Sequence, residues 1–363
     1  MNARQLLAAL LVAASLPLAA QFAEPNDETK AACEQYLRTP LPTEAALIAA
    51  PKSWPDCDSP KLYSGIGVKA DFSAARKCAW SERLAIQASL EPRYTVASVL
   101  GGSAMLSVLY ANGQGVDRSL PLALRFLCEA YPVENAVDDL EKRSNEPKAV
   151  SGAFKLCDQA RDTFMIGFCA GWDSEIEDDK RSRFFRNLTP GWPSAQRQAL
   201  LALVKTEDAY STAHARGEID LGGSGRAVWE MNAEWQLREQ FKAALVSCEK
   251  GELRGGPAAD VSGSDLALNQ LYRKALNTAK AGESGYGAVQ PEGIRDAERA
   301  WMKYRDAWVA FARLRYPAIS TEAWLTLLTK DRIAILKDTF CEMGSRDDSC
   351  AGRDDAPAPL PLP

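Results

Sequence analysis

One histidine stands in the 363 residues, His214, and it bounds the chemistry available to this chain. A Ser/His/Asp triad, a Cys/His dyad or a multi-histidine metal site would each have to draw on it, and a metalloprotease helix with two histidines is impossible. His214 lies in Ser211-Thr212-Ala213-His214-Ala215-Arg216, the polar, alanine-rich end of an expected helix with no partner visible nearby. A surface or helix-terminal histidine is the reading preferred to a catalytic one. Paired carboxylates are the next source of acid–base chemistry. Asp173, Glu175, Glu177, Asp178 and Asp179 cluster, but a dense acidic run is a solvated face, whereas two catalytic carboxylates flank a cleft at a set separation. Gly222-Gly223-Ser224-Gly225 and Gly65-Ile66-Gly67 lack a preceding strand, the phosphate-loop spacing and its lysine, so they read as turns between helices. No catalytic, cofactor-binding or metal-ligating residue is nominated.

The nine cysteines are Cys33, Cys57, Cys78, Cys128, Cys157, Cys169, Cys248, Cys341 and Cys350. With no C-x-x-C pair they read as staples of an oxidising compartment rather than zinc ligands or redox catalysts. Their odd number leaves a thiol that is free or pairs between chains, and spacing does not give the connectivity. Cys341 and Cys350 are close enough to close a small loop. Residues 1–20 fit the same compartment: Arg4 in a short n-region, an uncharged run from Leu6 to Ala20, and small residues at Ala19 and Ala20. This is the pattern of a secretory signal, cleaved after Ala20 or, as a second choice, after Ala23. The run is too short to span a bilayer, and no second apolar segment follows it. A periplasmic or secreted bacterial protein with no integral membrane segment in its mature form is expected. The net charge of -5 argues against nucleic acid as a partner.

With 46 % apolar and 25 % charged residues the chain is globular, not collagenous, wholly disordered or polytopic. Strand signals are scarce, and three-to-four-residue apolar spacing predicts an all-α fold. Ile294, Ala297, Trp301, Tyr304, Trp308 and Phe311 form one stripe, more simply bundle core than the lining of a ligand groove. That helix is expected to stop near Pro317, and the next to start at Ser320 or Thr321, so that 291–316 and 320–341 form an antiparallel hairpin. Phe164 to Trp172 is read as core and Glu134 to Lys148 as a solvated helix and loop. An internal echo relates Tyr63-Ser64-Gly65-Ile66-Gly67-Val68 to Tyr110-Ala111-Asn112-Gly113-Gln114-Gly115-Val116, each followed by an alanine-containing helix. It implies a helix-pair repeat whose turns need left-handed glycines. A weaker echo, Gln196 to Glu249 against Ala297 to Glu342, suggests a doubled helical unit. The glycine-rich stretch 251–263 is read as a linker. Asp265 and Asn269, one turn apart, are expected to meet Arg305 or Arg332 across the bundle in a register-setting polar network.

Asp265-Leu266-x-Leu268-Asn269-x-x-Tyr272, then Ala297-Glu298-Arg299-Ala300-Trp301-Met302-Lys303-Tyr304-Arg305-Asp306-Ala307, then Leu328-Thr329-x-x-Arg332, resembles the lysozyme inhibitor LprI-like domain. The resemblance covers about residues 260–340. It implies a small secreted helical domain with no cofactor, and a lysozyme or another cell-wall lytic enzyme as partner. Asp265, Asn269, Tyr272, Trp301, Tyr304, Arg305, Asp306 and Arg332 are its family-motif positions, read as fold-defining. The cysteine pair common in the family is missing here, with Val309 and Trp324 in its place. The pattern from Gly102 through Tyr110 and Gly115 to Ala130 resembles a Sel-like, tetratricopeptide-like repeat. That likeness implies a surface for other envelope proteins.

The expected organisation is a signal peptide at 1–20, a solenoid-like Sel-like repeat region at 21–180 and a helical connecting region at 181–259, a degenerate copy of the last domain. An LprI-like antiparallel bundle at 260–342 and a Pro-rich disordered tail at 343–363 complete it. The function expected is that of a non-enzymatic binding protein, a lysozyme inhibitor of the LprI-like type; the alternative is an envelope scaffold using the repeats. From Asp260 to Glu342 there are 12 Lys plus Arg and 11 Asp plus Glu, so an acidic surface for a basic enzyme would have to be local or lie elsewhere.

Overall fold

The structure, a computed structural model, describes residues 25–43, 57–88, 99–130, 134–146, 151–252, 259–281 and 288–342. The expected signal segment, the tail and much of the 251–263 linker lie outside these residues. Twelve α-helices and no strand occur among the described residues. No helix there is long and apolar enough to cross a membrane. The chain divides into two compact units, 1–180 and 181–363.

The first unit contains α1 (Asp27–Tyr36), α2 (Ser59–Ser64), α3 (Phe72–Ala88), α4 (Gly102–Asn112), α5 (Leu120–Ala130), α6 (Glu134–Asn145) and the start of α7 (Thr163–Leu188). The two halves of the internal echo form turns with one hydrogen-bond pattern. Gly65 and Ile66 donate to the Lys61 carbonyl and Asp71 to that of Leu62; Gly113 and Gln114 donate to Leu109, and Ser119 to Tyr110, in the same pattern. Gly65, Gly67, Gly113 and Gly115 all take positive φ, as the turns require. Gly115 carries a second constraint, because a Cβ there would stand 2.7 Å from the Phe72 carbonyl carbon at the start of α3. Tyr63 Oη donates to Gln114 Oε1 at 2.8 Å, joining the two turns.

Residues 102–111 of α4 are all buried, on every side of the helix. Leu106, Leu109, Phe126, Leu127, Leu140 and Phe154 are among the side chains with no exposure around it. Glu82 serves two helix starts at once. Its carboxylate accepts from Ser59 N at 2.8 Å, Ser59 Oγ at 2.5 Å and Gly102 N at 2.8 Å, occupying otherwise orphan donors of α2 and α4. Disulfides join Cys33 to Cys128, Cys57 to Cys78 and Cys157 to Cys169. Cys341 is also disulfide-bonded, and its expected closure with Cys350 falls outside the described residues. Among the described residues Cys248 is a free, buried thiol.

Some local expectations change on folding. Met165, Cys169 and Trp172 are core, but Ile166 is exposed. The charged stretch read as solvated buries Ala136, Val137, Leu140 and even Arg143, whose guanidinium reaches Asp139 and the Gly152 carbonyl. Of the acidic run on α7, Asp173, Glu175 and Asp178 are exposed as expected, whereas Glu177 and Asp179 are partly buried, Glu177 on Lys180 and Asp179 accepting from Gly67 N at 3.1 Å.

The second unit contains the end of α7, then α8 (Ser194–Gly217), α9 (Arg226–Glu249), α10 (Val261–Ala281), α11 (Pro291–Arg315) and α12 (Thr321–Glu342). Pro317 follows α11, and Ser320 Oγ accepts from Ala323 N at 3.1 Å to start α12. The turn Gly222–Gly225 links α8 to α9. Helices α8 and α11 pack antiparallel: Gly217 meets Gly293 at one end, and Gln196 meets Leu314 O and Arg315 at the other. A Cβ on Gly217 would lie 2.6 Å from the Gly293 carbonyl oxygen, so close backbone approach fixes this crossing. The predicted stripe is core: Ile294, Ala297, Trp301, Trp308 and Phe311 are buried, and Tyr304 is partly buried.

Candidate functional site

The second unit buries charge where the stripe alone would lead one to expect only apolar contacts. On α8 the three-and-four spacing that buries Leu200 and Leu203 also buries Glu207, Tyr210, Ser211 and His214, followed by Glu218 just past the helix end. Arg332 enters from α12 with no exposed surface. Its Nε donates to Glu298 at 3.0 Å. Its two terminal nitrogens grip both oxygens of Glu218 at 2.8 and 2.6 Å, and one also donates to Tyr210 Oη at 3.2 Å. His214 Nδ1 lies 2.9 Å from the Glu218 carboxylate.

The electrostatics follow from crowding charge into a dry space. Burial drives the Glu218 carboxyl upward, but the charge and hydrogen bonds of Arg332, joined by His214, outweigh it and hold the group at about 2. Glu298 is raised, because its burial outweighs a single contact with Arg332. Burial also works against the Arg332 cation, yet Glu218, Tyr210 and Glu298 keep it charged. The planar guanidinium has its fork filled by two carboxylates and a phenol. The network ties α12 to α8 and α11 through one guanidinium.

A second cluster sits on the same face of α8. Glu207, 1 % exposed, meets Arg181 of α7 and accepts from Ser211 Oγ at 2.5 Å. Asp208 accepts from Arg181 at 2.6 Å and lies 3.6 Å from Arg238 of α9. Further along, Arg315 pairs with Glu249 at 2.6 and 2.9 Å and stands 4.0 Å above the Trp192 ring.

Two sequence expectations are corrected. Asp265 and Asn269 do not reach Arg305 or Arg332: Asn269 is exposed and its side-chain amide donates to the Asp265 carbonyl at 2.8 Å. Arg305 instead covers the Trp301 ring at 5.3 Å and pairs with the exposed Asp306. The polar network exists, but Arg332 builds it with Glu298 and with residues of α8. His214 does lie in the last turn of α8, as the helix-terminal reading has it, but it is buried rather than on the surface, and its partner Glu218 is four residues along the chain. Of the other motif positions, Trp301 is core, Tyr304 stacks on Tyr210 with ring centroids 5.6 Å apart, and Tyr272 is partly buried with its phenol raised by burial. Glu207, Tyr210 and Glu218 were missed because each finds its cation far away in sequence. The one local signal was the apolar spacing of α8, which those polar residues share.

Residues 256–336 match the family model described as lysozyme inhibitor LprI. The match covers less than a quarter of the chain and takes in α10, α11 and most of α12. No curated protein and no solved structure matches the chain. The LprI-type segment does not complete its own core here, since Tyr210 and Glu218, two of Arg332's partners, come from outside the match. Val309 and Trp324 are both buried in one cluster, where Trp324 meets Trp308 edge-on at 5.8 Å.

Proposed function

We propose that this is a periplasmic or secreted bacterial protein, released by cleavage near Ala20, that binds a cell-wall lytic enzyme of the lysozyme type and restrains it without catalysing a reaction itself. The match of residues 256–336 to the lysozyme inhibitor LprI family carries this reading. The disulfides fit an extracytoplasmic location. A non-enzymatic role is supported by the charged residues around the motif, which are spent on one another inside the bundle. Leu266 and Met302, 61 % and 41 % exposed, are apolar side chains that the LprI-type segment leaves available to a partner.

The test is inhibition of cell-wall lysis by the protein from Gln21 onward against a panel of lysozyme classes, with a pull-down in parallel. Dose-dependent inhibition is expected. Leu266→Glu with Met302→Glu is expected to weaken it by tenfold or more, on the order of 1–2 kcal/mol. Absence of both inhibition and binding across the panel would overturn the reading. A fragment limited to 260–342 is a poor probe, because it leaves Arg332 without Tyr210 and Glu218; the shorter form to test spans 181–342.

A further inference from the structure

Along α12, Trp324, Leu328, Asp331 and Ile335 recur at alternating spacings of four and three, which puts them on one side of the helix. Trp324 and Leu328 are buried in one cluster and Ile335 packs against another. A carboxylate therefore stands where the pattern assigns an apolar side chain. The antiparallel register of α11 and α12 fixes its surroundings. Trp308 meets Trp324, and further along Glu298 meets Arg332, which sets Asp331 level with the turn from Trp301 to Tyr304. The Tyr304 ring there stacks on Tyr210 and meets Phe241 edge-on at 6.1 Å. Among the described residues Asp331 has neither a hydrogen bond nor an ion pair, and burial alone raises its carboxyl, to about 6. The Tyr304 hydroxyl has no hydrogen-bond partner among them either, and the Asp331 charge acts on its phenol. The arginines at this level are engaged elsewhere: Arg332 with Glu218 and Glu298, Arg305 with the Trp301 ring and Asp306. Both Asp331 and Tyr304 are partly buried rather than sealed, so a group from outside can reach them.

We propose that Asp331 and Tyr304 form a receptor for one cationic side chain, arginine or lysine, of a basic partner protein. An anion held in a half-dry place without a cation costs the free protein stability. A carboxylate and a phenol oxygen beside aromatic rings are the groups that receive a guanidinium or an ammonium. The incoming N–H groups donate to the Asp331 carboxylate and to Tyr304 Oη, and the apolar neighbours strengthen the pair by excluding water. Resting on the reading above, the partner is the lytic enzyme. The site then supplies the local acid that the even charge balance of 260–342 requires.

Titrating the protein from Gln21 onward with N-acetyl-arginine amide and N-acetyl-lysine amide, followed by NMR of the tryptophan side chains, tests the site without any lytic enzyme. Saturable shifts of Trp301 and Trp308 are expected with at least one of the two, none with the uncharged citrulline analogue, and none in Asp331→Asn. Tyr304→Phe keeps the ring and is expected to weaken binding about fivefold through the lost hydroxyl. Stability separates a receptor from a structural acid. Asp331→Leu completes the apolar row and is expected to raise the thermal unfolding midpoint, and Asp331→Asn is expected not to lower it. Against a lysozyme that the unmodified protein inhibits, Asp331→Asn is expected to weaken inhibition at least about tenfold. No saturable shift with either amide, equal shifts with the citrulline analogue, undiminished inhibition by Asp331→Asn, or a lowered midpoint in both Asp331 variants would each overturn the proposal. Cation binding that depends on Asp331, in a protein that inhibits no lysozyme of the panel, would instead overturn the lysozyme reading and leave the receptor standing.

Discussion

The two units hold their helices by different means. In the first, three described disulfides tie α1 to α5, the start of α2 to α3, and the 157–159 turn to α7, around an apolar central helix with no exposed face. In the second, the described helices are joined by a crossing of two glycines, a run of aromatic contacts and two buried charge clusters. Covalent closure acts by restricting the unfolded chain and asks little of side-chain geometry. A buried ion network asks for every donor and acceptor, and losing one member leaves the rest stranded. The first unit holds a buried ion pair too, Arg83 gripping both oxygens of Glu129 at 2.6 and 2.9 Å, so the contrast between the units lies in the described disulfides rather than in the absence of buried charge.

The largest expected effect breaks the covalent side of the contrast. Replacing Cys33 and Cys128 by serine opens a link across a sequence separation of 95. The chain-entropy account gives a cost of about 4–5 kcal/mol, read as loss of exchange protection in 25–180 with 181–342 little changed. Equal loss in both units would show that they do not divide as described.

Arg332→Met tests the other side, at about 3–5 kcal/mol, since Glu218 and Glu298 are left buried without their cation. The loss should appear in the exchange of 194–249 as well as 291–342. It should also carry a pH signature. Glu218 is held below its ordinary value, so its contribution is present above about 4.5 and is lost as pH falls towards 2. The variant is expected to lose that acid-side contribution; if its acid unfolding parallels that of the unmodified protein, Glu218 is not held by Arg332.

A smaller effect sharpens the picture of the repeat. Gly115→Ala and Gly67→Ala both place a Cβ at positive φ, 65° and 71°, but only at Gly115 does it meet backbone, the Phe72 carbonyl. Gly67→Ala is expected to cost about 1 kcal/mol from the backbone alone, and Gly115→Ala at least twice that, compared by urea midpoint. Similar costs would mean that the turns are not packed against α3.

Much of the helical layout was legible because its causes are local. The 3.6-residue spacing from Ile294 to Phe311, Pro317 after the helix and Ser320 as cap gave the α11–α12 hairpin within a residue or so. The glycine echo gave the left-handed turns. The charged centre was only half legible. Arg332 was singled out, but its partners Tyr210 and Glu218 lie 122 and 114 residues away, and the exposed Asn269 turns its side chain to the Asp265 backbone carbonyl instead. His214 was legible as a helix-terminal residue but its burial was not, because nothing near it announces a buried arginine behind Glu218.

What the amino-acid sequence determined by itself is the all-helical class, the helix ends, the repeated glycine turns and the LprI-type segment, each set by spacing, backbone preference or motif within a short stretch of chain. Tertiary structure alone decided which carboxylates go inside and which cation meets them. A buried charge is tolerated only where groups from several helices converge to solvate it, and that convergence depends on close crossings such as Gly217 on Gly293 rather than on any local pattern.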